Sequence, residues 1–512
     1  LAAAAPIAAQ VPSDTLLFDE VLVPPILGAR QESNRYGEAE QAGHYYATSC
    51  DDAGCRDAVD CGDGVGCGSA VGKEKPNPCA TSHKVLFFQN DFSYLNDPGY
   101  EGSCFGDCLK LLPVAGGDWG TLDVGGQLRL RQHHEKGMGR QAGQSGFGPT
   151  TNDFMLTRLR LYQNWKINDR FRIYSEGIFA DVLSNPAYLP RPIDRNSADF
   201  LNLFVDVRVT DSASIRVGRQ ELLFGAQRLV SPLDWANTRR TFEGFRGTIN
   251  VGDWTVDPFY TNLVPVAPDA FDEADYDQSF YGCYASRKGD AGTLDVYYLG
   301  YDHETAGTPI ATDFSLHTIG GRVTGKFADR PLLYDLEGAY QGGRQSGLGL
   351  DHDAAFCTCG LGHQFSGLKW KPTLWCYFDY ASGNVPGGSF NRFNQLFPLA
   401  HKYLGFIDAV ARENVSSPNC LLTFAPQQKL SFLLWYYYLG ANQAEDVIPG
   451  VAVPSNQNLT SKNFGNELDF ICKYVIAPRS NILVGYSNLW RGSKIIGTDN
   501  AEFLYTQWEL NF

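Results

Sequence analysis

The chain has 512 residues and a formal net charge of −15, with 54 Gly, 26 Tyr, 32 Phe, only 2 Met, and charged residues at 19%. Such an excess of glycine and aromatics argues against a helical or α/β enzyme and suits many strands joined by tight turns and bordered by aromatic girdles. Mean hydropathy is −0.25, and the best apolar run, Leu430 to Ala441 (LSFLLWYYYLGA), is too short and too tyrosine-rich for the roughly 18 residues of a membrane helix. The other structure that satisfies every backbone group in lipid is a closed β-barrel.

Residues 1–115 read as an N-terminal extension. The opening LAAAAPIAAQ resembles the small-residue surroundings of an export-signal cleavage site. Of the 13 cysteines, seven crowd together as Cys50, Cys55, Cys61, Cys67, Cys79, Cys104 and Cys108. Without a CxxC pair, they predict disulfides in an oxidising compartment rather than a zinc site. An odd total leaves at least one thiol unpaired or intermolecular. The apolar-acidic stretch from Lys84 to Tyr100 (KVLFFQNDFSYLNDPGY) closes the extension. It predicts a plug, a lid or a tether, through which a partner or a second copy of the chain would attach.

From 116 to 512 the sequence predicts one transmembrane barrel. Its strands fall near 121–134, 153–166, 170–182, 199–210, 213–224, 241–251, 254–264, 277–287, 292–303, 314–326, 332–344, 354–366, 371–382, 415–425, 428–441, 463–476, 480–491 and 501–512. That makes about 18, an even number as bacterial barrels require. A sandwich or propeller would show paired sheets or a blade repeat, and the uneven spacing shows neither. In the first strand Leu122, Val124, Leu128 and Leu130 alternate with Asp123, Gln127, Arg129, Arg131, His133 and Glu135, which places the two sets on opposite faces. Phe464, Leu468, Phe470 and Tyr474 likewise oppose Glu467, Asp469 and Lys473. In the last strand Leu504, Trp508, Leu510 and Phe512 oppose Gln507, Glu509 and Asn511. Phe512 at the end of that strand is the predicted signal for the barrel insertion machinery.

The acidity is uneven: residues 121–250 hold 18 Lys+Arg against 13 Asp+Glu. Arginines in consecutive strands are costly in a dry sandwich core and cheap in a water-filled lumen. The predicted pore lining is Arg129, Arg131, Arg158, Arg160, Arg172, Arg216 and Arg246, with Glu176, Asp181, Glu467, Asp469 and Lys473. Guanidinium presents a planar, permanently charged fork to carboxylates, and interspersed acids keep binding weak enough for release. The competing reading is an ion-pair lattice that stiffens the wall. It is preferred for Arg219 and Glu221, which share parity with Ile215 and Val217. The acidic run Asp269 to Asp277 reads as a solvated loop, His133 and His134 lack metal-ligand spacing, and no arrangement selects a catalytic triad. No enzyme activity, cofactor, metal or nucleic-acid partner is expected.

Asn90-Asp-Phe-Ser-Tyr-Leu95, Gly125-Gly-Gln-Leu-Arg-Leu-Arg131, Arg216-Val-Gly-Arg-Gln-Glu-Leu222 with Arg228, and Arg239-Arg-Thr-Phe-Glu-Gly244 resemble the alginate-export outer-membrane porin family. So do Tyr380-Ala-Ser-Gly383, Phe393-Asn-Gln-Leu-Phe-Pro398, His401-Lys-Tyr-Leu-Gly-Phe-Ile-Asp408 and Gly485-Tyr-Ser487. The resemblance runs in order from about residue 86 to 512. It implies an integral outer-membrane barrel of 18 strands, surrounded by lipid, whose arginine-rich constriction conducts anionic polysaccharide outward. The cysteine-rich extension and barrel cysteines such as Cys357 and Cys359 are additions to that pattern. The expected function is a channel for anionic sugars, oligosaccharides or polysaccharide. The alternatives are a general anion-leaning porin and a plugged structural or receptor barrel.

Overall fold

Alternating apolar and polar residues, interrupted by Gly, Asn and Asp, produce long strands in the computed structural model, which describes residues 78–100, 102–304, 313–327, 330–450 and 457–512. A two-residue strand, β1 (Leu112–Pro113), precedes β2 (Thr121–Lys136), β3 (Thr151–Lys166), β4 (Phe171–Ser184), β5 (Asn196–Thr210), β6 (Ala213–Gln220), β7 (Thr241–Val251), β8 (Trp254–Val264) and β9 (Asp275–Gly289). The chain continues through β10 (Gly292–His303), β11 (Phe314–Lys326), β12 (Leu332–Gln345), β13 (Leu350–Gln364), β14 (Thr373–Ala381), β15 (Val415–Gln427), β16 (Leu430–Ala441), β17 (Asn463–Ala477), β18 (Ser480–Arg491) and β19 (Ala501–Asn511). Each strand from β2 onward pairs antiparallel with the next, and β19 pairs with β2, so eighteen strands close into a barrel. No helix among the described residues is long and apolar enough to cross a membrane.

Burial follows parity. On β3, Asn152, Phe154, Leu156, Arg158, Arg160, Tyr162 and Asn164 are buried, while Leu161 between them is exposed. On β2 the buried set is Asp123, Gln127, Arg129, Arg131, His133 and Glu135. The strands thus turn charge inward and leave Leu, Ile, Val, Phe and Tyr outside, the arrangement a barrel in lipid requires. The two-residue links 211–212, 252–253, 290–291, 428–429 and 478–479 all lie at one rim. The long connections 137–150, 185–195, 221–240 and 382–414 lie at the other.

Predicted and observed strands agree within a few residues, apart from β6. It stops at Gln220 because the chain from Glu221 leaves the wall and folds inward. A barrel of this size left empty holds an aqueous channel. Here loops 221–240 and 382–414 bring Phe224, Leu229, Trp235, Phe397, Phe406 and Ile407 into one buried cluster with inward wall residues such as Trp375, Trp435 and Tyr437.

The described part of the extension packs at the short-turn rim. Leu86, Phe87 and Phe88 form a second buried cluster with Tyr162, Tyr174 and Phe204 of the inner wall. Cys79 and Cys104 form a disulfide, whereas Cys108 is an exposed free thiol. Cys50, Cys55, Cys61 and Cys67 lie outside the described residues. Lys110 donates to Tyr162 Oη at 2.9 Å and to the Phe512 carbonyl at 3.2 Å. That approach is open only because position 125 is glycine; a Cβ there would collide with Lys110 Nζ and the Phe512 oxygen.

Candidate functional site: the arginine clamp in the lumen

Arg129 and Arg158 are directly opposite in the β2–β3 register. The i, i+2 spacing places Arg131 and Arg160 beside them on the same inner face. All four are buried. The expected water-filled surroundings are instead the backbone of loop 221–240. Arg129 Nη1 donates to the Asp234 carbonyl at 2.8 Å and its Nη2 to the Ala236 carbonyl at 3.0 Å. Arg131 Nη1 donates to the Trp235 carbonyl at 2.8 Å and its Nε to Gln507 Oε1 at 2.8 Å. Arg158 donates to Asp234 Oδ1 at 2.9 Å and to Gln127 Oε1 at 2.6 Å. The loop is therefore a strap clamped to the wall through its carbonyl oxygens. Asn237 Nδ2 completes the attachment, donating to the carbonyls of Thr157 at 2.9 Å and Asp194 at 3.0 Å.

Asp234 is the carboxylate of the strap, paired with Arg158 and Arg239. Burial pushes its pKa up, but the guanidiniums of Arg239, Arg158, Arg129 and Arg160 outweigh burial and hold it well below the usual carboxylate range. Arg160 pairs with Glu176 at 2.6 Å and stands 3.8 Å from Glu221, and Glu221 also pairs with Arg239. Arg129 and Arg131 make no carboxylate ion pair among the described residues; their acceptors are neutral.

Loop 382–414 enters from the opposite side. His401 stacks on Trp235 at 3.4 Å with the ring planes 2° apart, and the Arg131 guanidinium lies 3.7 Å from the Trp235 ring centre. The tryptophan is sandwiched between the two. Burial pushes the His401 pKa down against the pull of Asp408, so a neutral imidazole makes the stack at pH 7. Glu467 Oε1 accepts from the Ile407 amide at 2.9 Å and Asp469 Oδ2 from the Phe406 amide at 3.3 Å. Arg228 pairs with Asp335 at 2.6 Å and Glu337 at 2.7 Å, and Arg412 with Asp379 at 2.6 Å.

The predicted residues thus divide into groups. Arg129, Arg131, Arg158, Arg160 and Glu176 assemble around the strap, and Glu467 and Asp469 grip the second loop. Arg172 and Arg216 share Asp206 and hold the extension: Arg172 Nη1 donates to the Phe88 carbonyl at 2.8 Å, and Arg216 lies 4.1 Å over the Phe88 ring. Arg246 pairs with Asp257 at 2.7 Å as a wall lattice, and Lys473 shares the inner parity but stands apart toward the short-turn rim.

Two placements are corrected. Asp181 points outward and is exposed on β4; it lies five positions from Glu176, an odd step that puts the two on opposite faces. Glu221 is not part of the outer parity set, because β6 ends before it and its side chain is buried inside. Arg219 does form a lattice, with Asp199 at 3.1 Å and Glu243 at 3.4 Å. Asp234, Trp235, Arg239 and His401 were not singled out by strand parity, because all four lie in loops.

The family model for alginate export matches residues 121–504. No curated protein matches the chain. Among solved structures, Pseudomonas aeruginosa OpdK with vanillate superposes with a TM-score of 0.53 at 11% identity, covering 76% of this chain and 98% of that one. P. aeruginosa OccK2 (OpdF) in complex with glucuronate gives 0.51 at 13% identity, covering 76% and 98%. P. aeruginosa OccK3 (OpdO) gives 0.51 at 12%, covering 76% and 96%. At these identities the likeness is one of fold. The family match spans nearly the whole barrel, from β2 into β19, so the chain belongs to the alginate export family and is a porin-type β-barrel channel of the outer membrane.

Proposed function

We propose that the barrel conducts anionic sugars, oligosaccharides or polysaccharide, and that the clamp arginines provide the attraction. The observation that carries this reading is the bonding of Arg129 and Arg131 to neutral carbonyl and amide oxygens. Around the strap, Arg129, Arg131, Arg158, Arg160 and Arg239 outnumber Asp234, Glu176, Glu221 and Glu509, which stands opposite Arg129, five charges to four. An uncompensated guanidinium exchanges a neutral acceptor for a carboxylate with gain, because hydrogen bonds between charged partners are about twice as strong as neutral ones. The acids nearby limit residence and allow release. Uronates are a natural probe, since a channel of similar fold is solved with glucuronate.

Current through single barrels in a planar bilayer tests this. An oligouronate added to one side should block the current, while a neutral oligosaccharide of equal length should not. A steady current indifferent to both would replace this reading with a general anion-leaning porin.

A second reading, a barrel plugged by its own extension, is favoured by residues 82–92. Their Phe87 and Phe88 rings lie against Arg160 and Arg216, and the Val85 carbonyl accepts from Arg239 at 3.2 Å. Arginines of the lumen are thereby covered from the short-turn side. On this reading C79S/C104S, which unpins the segment, raises single-channel conductance several-fold. Equal conductance of variant and parent would remove the plug.

A further inference from the structure

The clamp and the extension leave one set of side chains unused, the thiols of the wall. Cys283, Cys357, Cys359, Cys376, Cys420 and Cys472 all lie on wall strands as free thiols, and they share the outward parity. Two of them meet. Cys376 of β14 and Cys420 of β15 are directly opposite in register, with their sulfurs 3.4 Å apart. Opposite residues of antiparallel strands have Cα atoms about 4.5–5.5 Å apart, within the separation a disulfide spans. Cys359 is only a diagonal neighbour of Cys376, since Phe378 stands opposite it. Cys357 faces Tyr380, and Cys472 faces Phe432 and Val484.

We propose that Cys376 and Cys420 are a modification site, oxidised to an intrachain disulfide on the lipid-facing wall. The bonded Cys79–Cys104 pair places the chain where thiols are oxidised. The oxidant is a second disulfide, of a protein or a small molecule. One cysteine thiolate attacks it, forming a mixed disulfide and expelling one oxidant thiolate. The other cysteine thiolate then attacks the cysteine sulfur of that mixed disulfide and expels the second. Two electrons pass to the oxidant, and the two cysteine protons end on its thiols. Thiolates need water, so the exchange happens as β14 and β15 pair, before the wall meets lipid.

The bond ties the two strands that carry loop 382–414, five register positions from the Ala381–Val415 pair at its base. Once in the bilayer it is shielded from soluble thiols. Reductant applied to intact membranes should therefore leave it closed, and reductant applied after denaturation should open it.

The test uses full-length protein from outer membranes, denatured in alkylating reagent without reductant, digested and analysed by mass spectrometry. The expected result is a linked peptide pair containing Cys376 and Cys420 that persists in C359S and disappears in C376S. In wild-type protein that is reduced while denatured and then refolded, the thermal unfolding midpoint should also fall, and C376S/C420S should lack that part of the fall. Quantitative alkylation of Cys376 and Cys420 in unreduced wild-type protein overturns the proposal, as does a linked pair joining Cys376 to Cys359. Neither measurement involves ion flow, so this result and the channel reading stand or fall separately.

Discussion

Asp234 shows how much a single side chain in the lumen can hold. It balances Arg158 and Arg239, its own carbonyl accepts from Arg129 and that of Trp235 beside it accepts from Arg131. Removing one partner of a buried ion pair leaves an uncompensated charge, at a typical cost of about 3 kcal/mol or more. D234N should therefore lower stability by roughly that amount, measured by thermal or denaturant unfolding in detergent, and should loosen the strap. The depressed pKa gives a pH signature. A carboxyl held below its unfolded value, about 3.9, stabilises the fold above that pH. The contribution disappears as pH falls toward the folded pKa. Wild type should lose stability below about pH 4 by more than D234N does; parallel acid profiles would deny Asp234 this role.

At this scale the sequence was readable where parity applied. The i, i+2 arginines on β2 and β3 could be turned inward from spacing alone, because the leucines between them had to face lipid. The same rule, applied to Asp181 as well as to Glu176, would have placed Asp181 outside. Asp234 and Glu221 lie beyond the end of β6, where alternation no longer says anything about direction.

The two inward loops are the elements that strand patterns did not reveal. A signal was present. Surface loops are ordinarily polar, yet the segment from Leu222 to Trp235 carries Leu222, Leu223, Phe224, Leu229 and Val230, and the one from Phe393 to Ile407 is as apolar. Connections this long and greasy have to bury themselves, and the lumen is the nearest place. Their partners include wall residues 60 or more positions away, such as Glu467 for the second loop and Arg129 for the first, so no local pattern could name the contacts. Strand boundaries, in contrast, depend on turn residues beside them in sequence, and they were legible almost throughout.

Loop 382–414 should respond to pH. Glu413, partly buried at its base, is pushed up to about 7 by burial, against the pull of Arg392 and the Gln395 amide. A carboxyl with a raised folded pKa favours the docked loop while protonated. That stabilisation is complete below its unfolded pKa of about 4.3 and is lost as pH rises through the folded value. Conductance and its open-state noise should increase between about pH 5 and pH 8 as the docked loop loosens. E413Q should remain in the quiet, low-conductance behaviour across that range. A wild-type trace that does not change over the interval would separate Glu413 from loop docking.

For the whole molecule, the net charge of −15 is a poor guide to the channel, because the inner face of β2 and β3 concentrates the opposite sign. Fixed positive charge in a narrow lumen raises the local concentration of anions, and salt screens the effect over a Debye length of about 10 Å at 0.1 M. The decisive measurement is the reversal potential of single barrels in a bilayer under a low-salt gradient, for wild type and for R129Q/R158Q that retains heat-modifiable migration. Wild type should prefer anions, with a preference that fades with added salt and is weakened in the double variant. Cation preference in wild type, or an identical reversal potential in the folded variant, would contradict it.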